Sequence, residues 1–503
     1  MARLVNLASA EREAAQDGQV RGRGWPLSEL GWRSASAAAV LIVADWLTVL
    51  ACLAAVWWVR RAVAPSLLPG LGPVMPLSAF IVQLVGLAPW TLAFAEARLY
   101  TRRALFWDEA GRVLYACTLA TLFAVALSFA NRAFPTMSRL VIGGVWLAAI
   151  AAVPIVRYHT KRLMAAVGLW NKRVLILGAG ETGRQVGVRV RANPDLGYVP
   201  VAYVDDDPDK IGRCLDGLPV RGPLSSIAEL IRDLQVKDVV VAIPGLSRQR
   251  LLHLVATCEG RVQSIRLVPD LFGLASVGVE AEDLDGVLLL HMRWNLAKPW
   301  NLLLKRGFDL TVAALAAVVL APLLALIAVA IRLDSAGPVF FRQPRMGRGR
   351  ALFACIKFRT MYVDGDDRLH AHLSGHAQGR DEWERFRKLK SFDPRVTRVG
   401  RVLRRLSIDE LPQLLNVFRS EMSLVGPRPY LPAEAHRMGD FGETVLKAPP
   451  GITGLWQVSG RNNLTFEQRL RLDEYYVRNW SLWMDVVVLL KTVTAVLARR
   501  GAY

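Results

Sequence analysis

The chain has 503 residues, room for three or so domains of ordinary size. Its formal net charge of +20 calls for an anionic partner, and a mean hydropathy of +0.28 with 15 Trp sets nucleic acid aside in favour of anionic lipid or a phosphorylated substrate. Five scattered cysteines (Cys52, Cys117, Cys214, Cys258, Cys355) with no CxxC pair indicate neither a disulfide framework nor a zinc site, which puts the soluble parts in a reducing compartment.

Residues 1–33 are polar, mixed in charge and without an early apolar core, so they read as a flexible cytoplasmic tail and not a cleavable signal peptide. Four apolar blocks follow, near 37–59, 74–95, 113–130 and 140–156. Each approaches the ~20 residues that cross a bilayer as a helix, which predicts a four-helix transmembrane domain over 34–160. Lys and Arg gather before the first block, between the second and third (Arg98, Arg102, Arg103, Arg112) and after the fourth (Arg157, Lys161, Arg162, Lys172, Arg173). The positive-inside rule therefore places the N-terminus and everything after Arg157 in the cytoplasm, with Arg60 and Arg61 weakly against it. Asp45 lies within the first block; such an acid is either functional or bonded to a neighbouring helix, and the second reading is favoured.

Over 171–295 short β runs alternate with helical stretches (RVLILG, PVAYVD, KDVVVAI, IRLVP), the pattern of a parallel sheet with helices on its faces. Gly178, Gly180 and Gly183 form GxGxxG between the first strand and helix, and Asp205 follows Gly183 by 22 residues. That context suits a dinucleotide fingerprint, in which glycines admit pyrophosphate to the helix end and the acid binds ribose. No hydride-transfer partner is evident, so a Rossmann-like regulatory or dimerisation module is preferred over bound nicotinamide.

The next apolar block, 310–331, is long enough to span, but basic residues lie at both ends (Lys305, Arg306; Arg332, Arg342, Arg345, Arg348) and Pro322 sits at its middle. The expected solution over 305–332 is a helix-break-helix that dips into one leaflet and returns, with Lys305 or Arg306 pairing with Asp309. Residues 332–428 then hold 20 Lys and Arg against 11 Asp and Glu, and GPVFFRQPRMGRGRALFACIKFRTM offers Gln343, Arg345, Lys357 and Arg359 to an anion. His370, His372 and His376 lack a nearby acid pattern and read as an exposed loop, not a metal site. In RRLSIDELPQLLNVFRSEMSLVGPRP an acid pair, Asp409 and Glu410, stands between Arg404–Arg405 and Arg428, which two prolines flank. Pro412 implies a helix start near Asp409, so unpaired N–H groups and rigidly presented guanidinium groups could handle phosphate. Asp409 could equally be an N-cap, or Ser407 and Glu410 a capping box. Beyond the turn-rich PGITGLWQVSGRN comes an amphipathic helix to Tyr476, then an apolar tail from Trp480 that reads as lying on the bilayer surface.

KRGFD at 305, the Pro-broken helix, GPVFFRQPRMG at 337, KFRTM at 357, IDELPQL at 408, GPRP at 426 and GITGLWQVSGR at 451 resemble, in order, the polyprenyl-phosphate glycosyl-1-phosphate transferases of bacterial glycan assembly. The preceding helices and Rossmann-like module resemble that family's large subfamily. The EWE and KLK runs at 382–390 and the ending RRGAY point, within it, to a galactose-transferring group that starts O-antigen, capsule or exopolysaccharide synthesis. Ala321 departs from the Ser often found before the family's proline.

The resemblance implies an enzyme of the bacterial inner membrane, with a mainly helical, monotopic catalytic domain over 300–503 on the cytoplasmic face. It would move a sugar-1-phosphate from a UDP-sugar to undecaprenyl phosphate, releasing UMP. Asp409 would be the nucleophile, with Glu410 its acidic partner, Arg404 the lipid-phosphate arginine and Arg428 a nucleotide-sugar arginine. Lys357, Arg359, Arg345 and Gln413 complete the expected substrate-binding set. Mg2+ would be required, with Asp409 among its ligands, and a homodimer is the expected assembly. An NAD-dependent oxidoreductase and a non-enzymatic assembly scaffold are the rival readings.

Overall fold

The computed structural model describes residues 27–67, 74, 76–78, 88–130, 138–269, 279–284, 287–292, 295–375, 393–459 and 464–497. His376, the 382–390 runs, the closing RRGAY and most of the expected tail lie outside them. The chain divides into two units, Met1–Leu271 and Phe272–Tyr503.

In the first unit, α1 (Leu27–Ala62) takes in residues 27–33, which the sequence assigned to the tail. It is followed by α2 (Ala88–Glu96), α3 (Phe106–Ala130) and α4 (Arg139–Ala166). Three of the predicted spans correspond to α1, α3 and α4, each long and apolar enough to cross a bilayer; the second lies largely outside the described residues, apart from α2. Trp90 and Phe94 of α2 pack with Val113, Val145 and Val153 in the bundle core.

Asp45 is bonded to a neighbouring helix, as expected. Its Oδ2 accepts from Arg157 Nη1 at 2.6 Å; Arg157 Nε and Lys161 Nζ donate to Glu109 Oε1 at 2.7 and 2.6 Å. Two acids and two bases compensate one another where water is excluded, and an unpaired charge there would be costly. Asp45 at the middle of α1, Glu109 in the first turn of α3 and Arg157 two thirds of the way along α4 meet through these bonds. Arg103 Nη1 donates to the carbonyls of Trp170, Leu196 and Gly197, with its Cζ 4.4 Å from the Trp170 ring.

Those carbonyls flank the predicted α/β module: β1 (Lys172–Leu177), α5 (Glu181–Ala192), β2 (Tyr198–Val204), β3 (Cys214–Leu215), β4 (Leu218–Arg221), α6 (Ile227–Asp233), β5 (Asp238–Val241), α7 (Arg248–Cys258) and β6 (Ser264–Leu267). The sheet order is β3-β4-β2-β1-β5-β6, parallel except for β3 at its edge. Strands buried on both faces explain the nearly continuous apolar runs. The module was expected to reach 295, but its sheet ends at β6. The hairpin β7 (Val279–Leu284) and β8 (Val287–Met292) falls in the second unit, its strands pairing antiparallel with each other.

The second unit begins with α8 (Pro299–Asp334), which stays helical through Pro322 where a break was expected. A single proline removes one hydrogen bond without ending a helix this long and apolar. Next come the hairpin β9 (Phe340–Met346) and β10 (Leu352–Phe358), α9 (Gly365–Gly375), α10 (Arg398–Leu406), a 3₁₀ helix (Ile408–Gln413), α11 (Leu414–Phe418), and the parallel strands β11 (Ser423–Val425) and β12 (Gly451–Thr453). The helices α12 (Leu455–Ser459), α13 (Phe466–Arg478) and α14 (Leu482–Leu497) close the unit. His370 and His372 lie on α9, not in a loop; Asp366 and Asp367 in its first turn favour helix there.

KRGFD anchors α8 in the protein. Lys305 Nζ donates to Asp485 Oδ2 at 2.8 Å and to the Val425 carbonyl at 2.9 Å, with Asp309 Oδ2 at 3.8 Å. Asp309 accepts from Ser423 Oγ at 2.7 Å and Leu424 N at 3.2 Å. Arg306 donates to the Val417 and Phe418 carbonyls at the end of α11. This corrects the reading of the tail: Trp480 and Asp485 are buried in the protein, and Trp480 Nε1 donates to Asp485 at 3.0 Å. At its other end α8 packs Ile327 and Ile331 with Phe358 and Leu403, while Asp334 Oδ2 accepts from Val399 N. Between these anchors Leu315, Val318, Val319 and Leu326 are exposed.

Candidate active site

Thr397 caps α10, its Oγ1 accepting from Gly400 N at 2.9 Å, and Ser407 ends that helix in a left-handed conformation, φ 55°. The chain then turns into the 3₁₀ helix that carries Asp409 and Glu410. The capping alternative does not hold: Ser407 makes no side-chain cap, and Glu410 Oε1 accepts from Lys357 Nζ at 2.7 Å. Asp409 is half-buried. Burial first, and the Glu410 carboxylate second, push it up to about 6 against the opposing pull of Lys357 and Arg404. Arg404, in the last turn of α10, is aimed by Thr360, whose Oγ1 accepts from Arg404 Nε at 2.9 Å.

Two placements depend on residues that the sequence did not single out. Asn416, fully buried in α11, accepts from Ile356 N at 3.0 Å and donates to the Ala354 carbonyl at 2.8 Å and to Glu421 Oε2 at 2.7 Å. It thereby fixes β10, and with it Lys357, against the segment holding Asp409. Gly426 and Gly451 touch backbone to backbone; a β-carbon on Gly426 would lie 2.5 Å from the Pro449 carbonyl oxygen. This contact joins GPRP to GITG and presents Arg428 and Trp456 together. The signal for Asn416 was a polar residue in an apolar helical run, LLNVF, which also suits an exposed position.

Asp473, fully buried on α13, accepts from Arg428 N at 3.2 Å and Tyr430 Oη at 2.9 Å. Burial pushes it up to about 7. Arg345 donates to the Pro429 carbonyl at 3.0 Å and to Gln343 Oε1 at 2.8 Å, and burial beside the positive Arg428 holds its pKa down. Asp409, Glu410, Lys357, Arg404, Arg345 and Arg428 thus form one connected neighbourhood. Gln413 is buried at the junction of the 3₁₀ helix and α11. Arg359 is placed elsewhere: its guanidinium binds the Ser335 and Ala336 carbonyls and Ser335 Oγ at the end of α8, and no described contact brings it to Asp409.

Asp409 and Glu410 are adjacent hard oxygen donors. Among the described residues no group of three or more His, Cys, Asp and Glu is placed to hold a metal ion. One or two carboxylates suit Mg2+, which takes its other ligands from substrate phosphates and water.

In the first unit, Gly178 has φ 102°, and a β-carbon there would lie 2.7 Å from the Ala242 carbonyl oxygen. Gly183 packs against the Gly178 carbonyl, and Gly180 precedes the first turn of α5. Asp205 Oδ2 accepts from Ala179 N at 2.7 Å, so it braces the glycine loop itself.

Residues 300–499 match the bacterial sugar transferase family, and residues 99–269 match a CoA-binding domain. A UDP-galactose-lipid carrier transferase of Erwinia amylovora is 37% identical over 413 residues, 82% of this chain and 85% of that protein. An undecaprenyl-phosphate galactose phosphotransferase of Salmonella typhimurium is 35% identical over 409 residues, 81% and 84% of the two chains. An undecaprenyl-phosphate glucose phosphotransferase of Komagataeibacter xylinus is 30% identical over 484 residues, 91% and 83%. The long apolar helices mark a membrane protein. The chain belongs to the bacterial sugar transferase family, that of the polyprenyl-phosphate sugar-1-phosphate transferases, and is an enzyme.

Proposed function

We propose that the enzyme transfers galactose-1-phosphate from UDP-galactose to undecaprenyl phosphate, releasing UMP, through a covalent intermediate on Asp409. The observation that carries this is a half-buried Asp409, next to a Glu410 that is ion-paired with Lys357, within the electrostatic reach of both Lys357 and Arg404. An Asp409 oxygen attacks the sugar-proximal phosphorus; the bond from that phosphorus to the bridging oxygen breaks and UMP leaves. An oxygen of the lipid phosphate then attacks the same phosphorus, the aspartyl–phosphorus bond breaks and Asp409 is regenerated. Lys357 and Arg404 reduce the repulsion between a carboxylate and an anionic substrate, and Arg428 bonds the nucleotide end. Mg2+, held by Asp409, would supply further neutralisation of the diphosphate oxygens. Lipid-dependent UMP release by the purified protein, lost in Asp409→Asn with the fold retained, is the expected result; substantial activity in that variant would sink the assignment.

The galactose reading is supported by the names of the Erwinia and Salmonella relatives, and a glucose reading by that of the Komagataeibacter relative. A panel of UDP-sugars, N-acetylated ones included, decides between them. The re-entrant reading of α8 requires a bend at Pro322 within the continuous helix, and it is supported by anchors to one unit at both ends, Lys305 and Asp309 at the start and Asp334 at the finish. A cysteine placed just after Arg332 should be labelled from the cytoplasmic side of inverted vesicles; labelling only from the periplasm overturns it. The cytoplasmic position of the α/β module and of the catalytic domain is supported by the basic clusters, with the bacterial inner membrane as the location. The homodimer is carried as a proposal that mass photometry in nanodiscs checks.

A further inference from the structure

Two cations share one indole. Arg428 Cζ lies 5.7 Å and Arg469 Cζ 5.0 Å from the ring of Trp456, which is itself buried. Two like charges this close repel each other unless an anion joins them. Among the described residues neither guanidinium has a carboxylate within ion-pair distance, and three buried donors here lack a hydrogen-bond partner: Arg345 Nε, Arg469 Nε and Trp456 Nε1. Unsatisfied buried donors gathered around arginines mark a place that a ligand completes. The same face of α13 carries Asp473, one turn beyond Arg469, which holds the Arg428 loop by its backbone.

The cations are ordered. Arg404 and Lys357 act on Asp409; Arg345 feels both Glu410 and Arg428; Arg428 and Arg469 meet at Trp456. In an in-line displacement at Asp409 the leaving group departs on the side away from the nucleophile, so cations linked to Asp409 only through Glu410 and Arg345 suit the part of the donor that leaves. Building on the reaction proposed above, we infer that Arg469 is a donor-binding residue: with Arg428 and Trp456 it forms the subsite for the nucleoside monophosphate half of the nucleotide sugar, the half that leaves.

The test uses the full-length enzyme in nanodiscs and two readouts, steady-state kinetics and equilibrium binding of UMP, which needs no turnover. Arg469→Gln should raise KM for the UDP-sugar and weaken UMP binding, each roughly ten- to hundredfold, the range for losing a charge-assisted hydrogen bond. KM for undecaprenyl phosphate should stay within about twofold of wild type. Arg469→Lys should restore part of the loss and Arg469→Met, which keeps the stem on Trp456, none of it. Arg471→Gln, an exposed position on the same helix, should leave both readouts unchanged. If Met behaves like wild type, or if Gln lowers the melting temperature and kcat with KM for the donor and UMP binding unmoved, Arg469 only packs and the inference falls. Absence of lipid-dependent UMP release from the wild type would instead remove the reaction assignment; UMP binding still decides Arg469, and unchanged or undetectable binding overturns its role.

Discussion

Asp409 is a half-buried carboxylate beside another carboxylate, and its protonation follows from that placement. With its pKa pushed up to about 6, it is half protonated there, and only the ionised form attacks phosphorus. The value of kcat/KM for the UDP-sugar should therefore rise with pH through about 6 at limiting Mg2+, and saturating Mg2+ on Asp409 should move that limb to lower pH. The donor constant isolates the free enzyme from titration of the lipid phosphate. Glu410→Gln removes the neighbouring charge that raises Asp409 and frees Lys357, which lowers it, so both effects move the acid limb to lower pH. An unchanged or upward-moving limb in that variant would mean that Asp409 is not the titrating group. The acid pair and the arginines around it were legible because side chains that bear charge amid prolines are conspicuous. Thr360, Asn416 and Asp473 were not, since their worth lies in backbone groups far away in sequence: Asn416 bonds a strand 60 residues earlier. The contacts of Arg359 were hidden for the same reason, its partners being carbonyls 23 and 24 residues before it.

At the scale of elements, the bundle of α1, α3 and α4 is fastened by Arg157, whose side chain is fully buried. Arg157→Met leaves Asp45 uncompensated and Glu109 with Lys161 alone, a loss of about 3–5 kcal/mol by analogy with other broken buried pairs. Pairing it with Asp45→Asn should recover part of that loss in thermal unfolding in detergent, and a fully additive double variant would show that the two side chains are not coupled. The sequence located α1, α3, α4, α8 and the strands β1, β2, β5 and β6 by hydropathy and alternation, both of which are local, and missed the short edge strands β3 and β4. It misassigned α14, because an apolar face is rewarded equally by lipid and by protein, and only the buried partner of Asp485 tells them apart. That partner is Lys305, supplied by another helix.

For the whole molecule, two units with separate cores predict two unfolding transitions in calorimetry. Arg103→Ala, which removes bonds to three carbonyls within the first unit, should lower one transition; Lys305→Met should lower the other. A single transition shifted by both changes would contradict the division. The KRGFD anchor also sets an order on biosynthesis. Lys305 leaves the ribosome 180 residues before Asp485, a delay of about 10–40 s at ordinary elongation rates. Throughout that interval a nascent apolar helix carries a cation and an acid whose eventual partners do not yet exist. Until translation supplies them, the bilayer surface, or a factor that shields such segments, has to hold α8 in place.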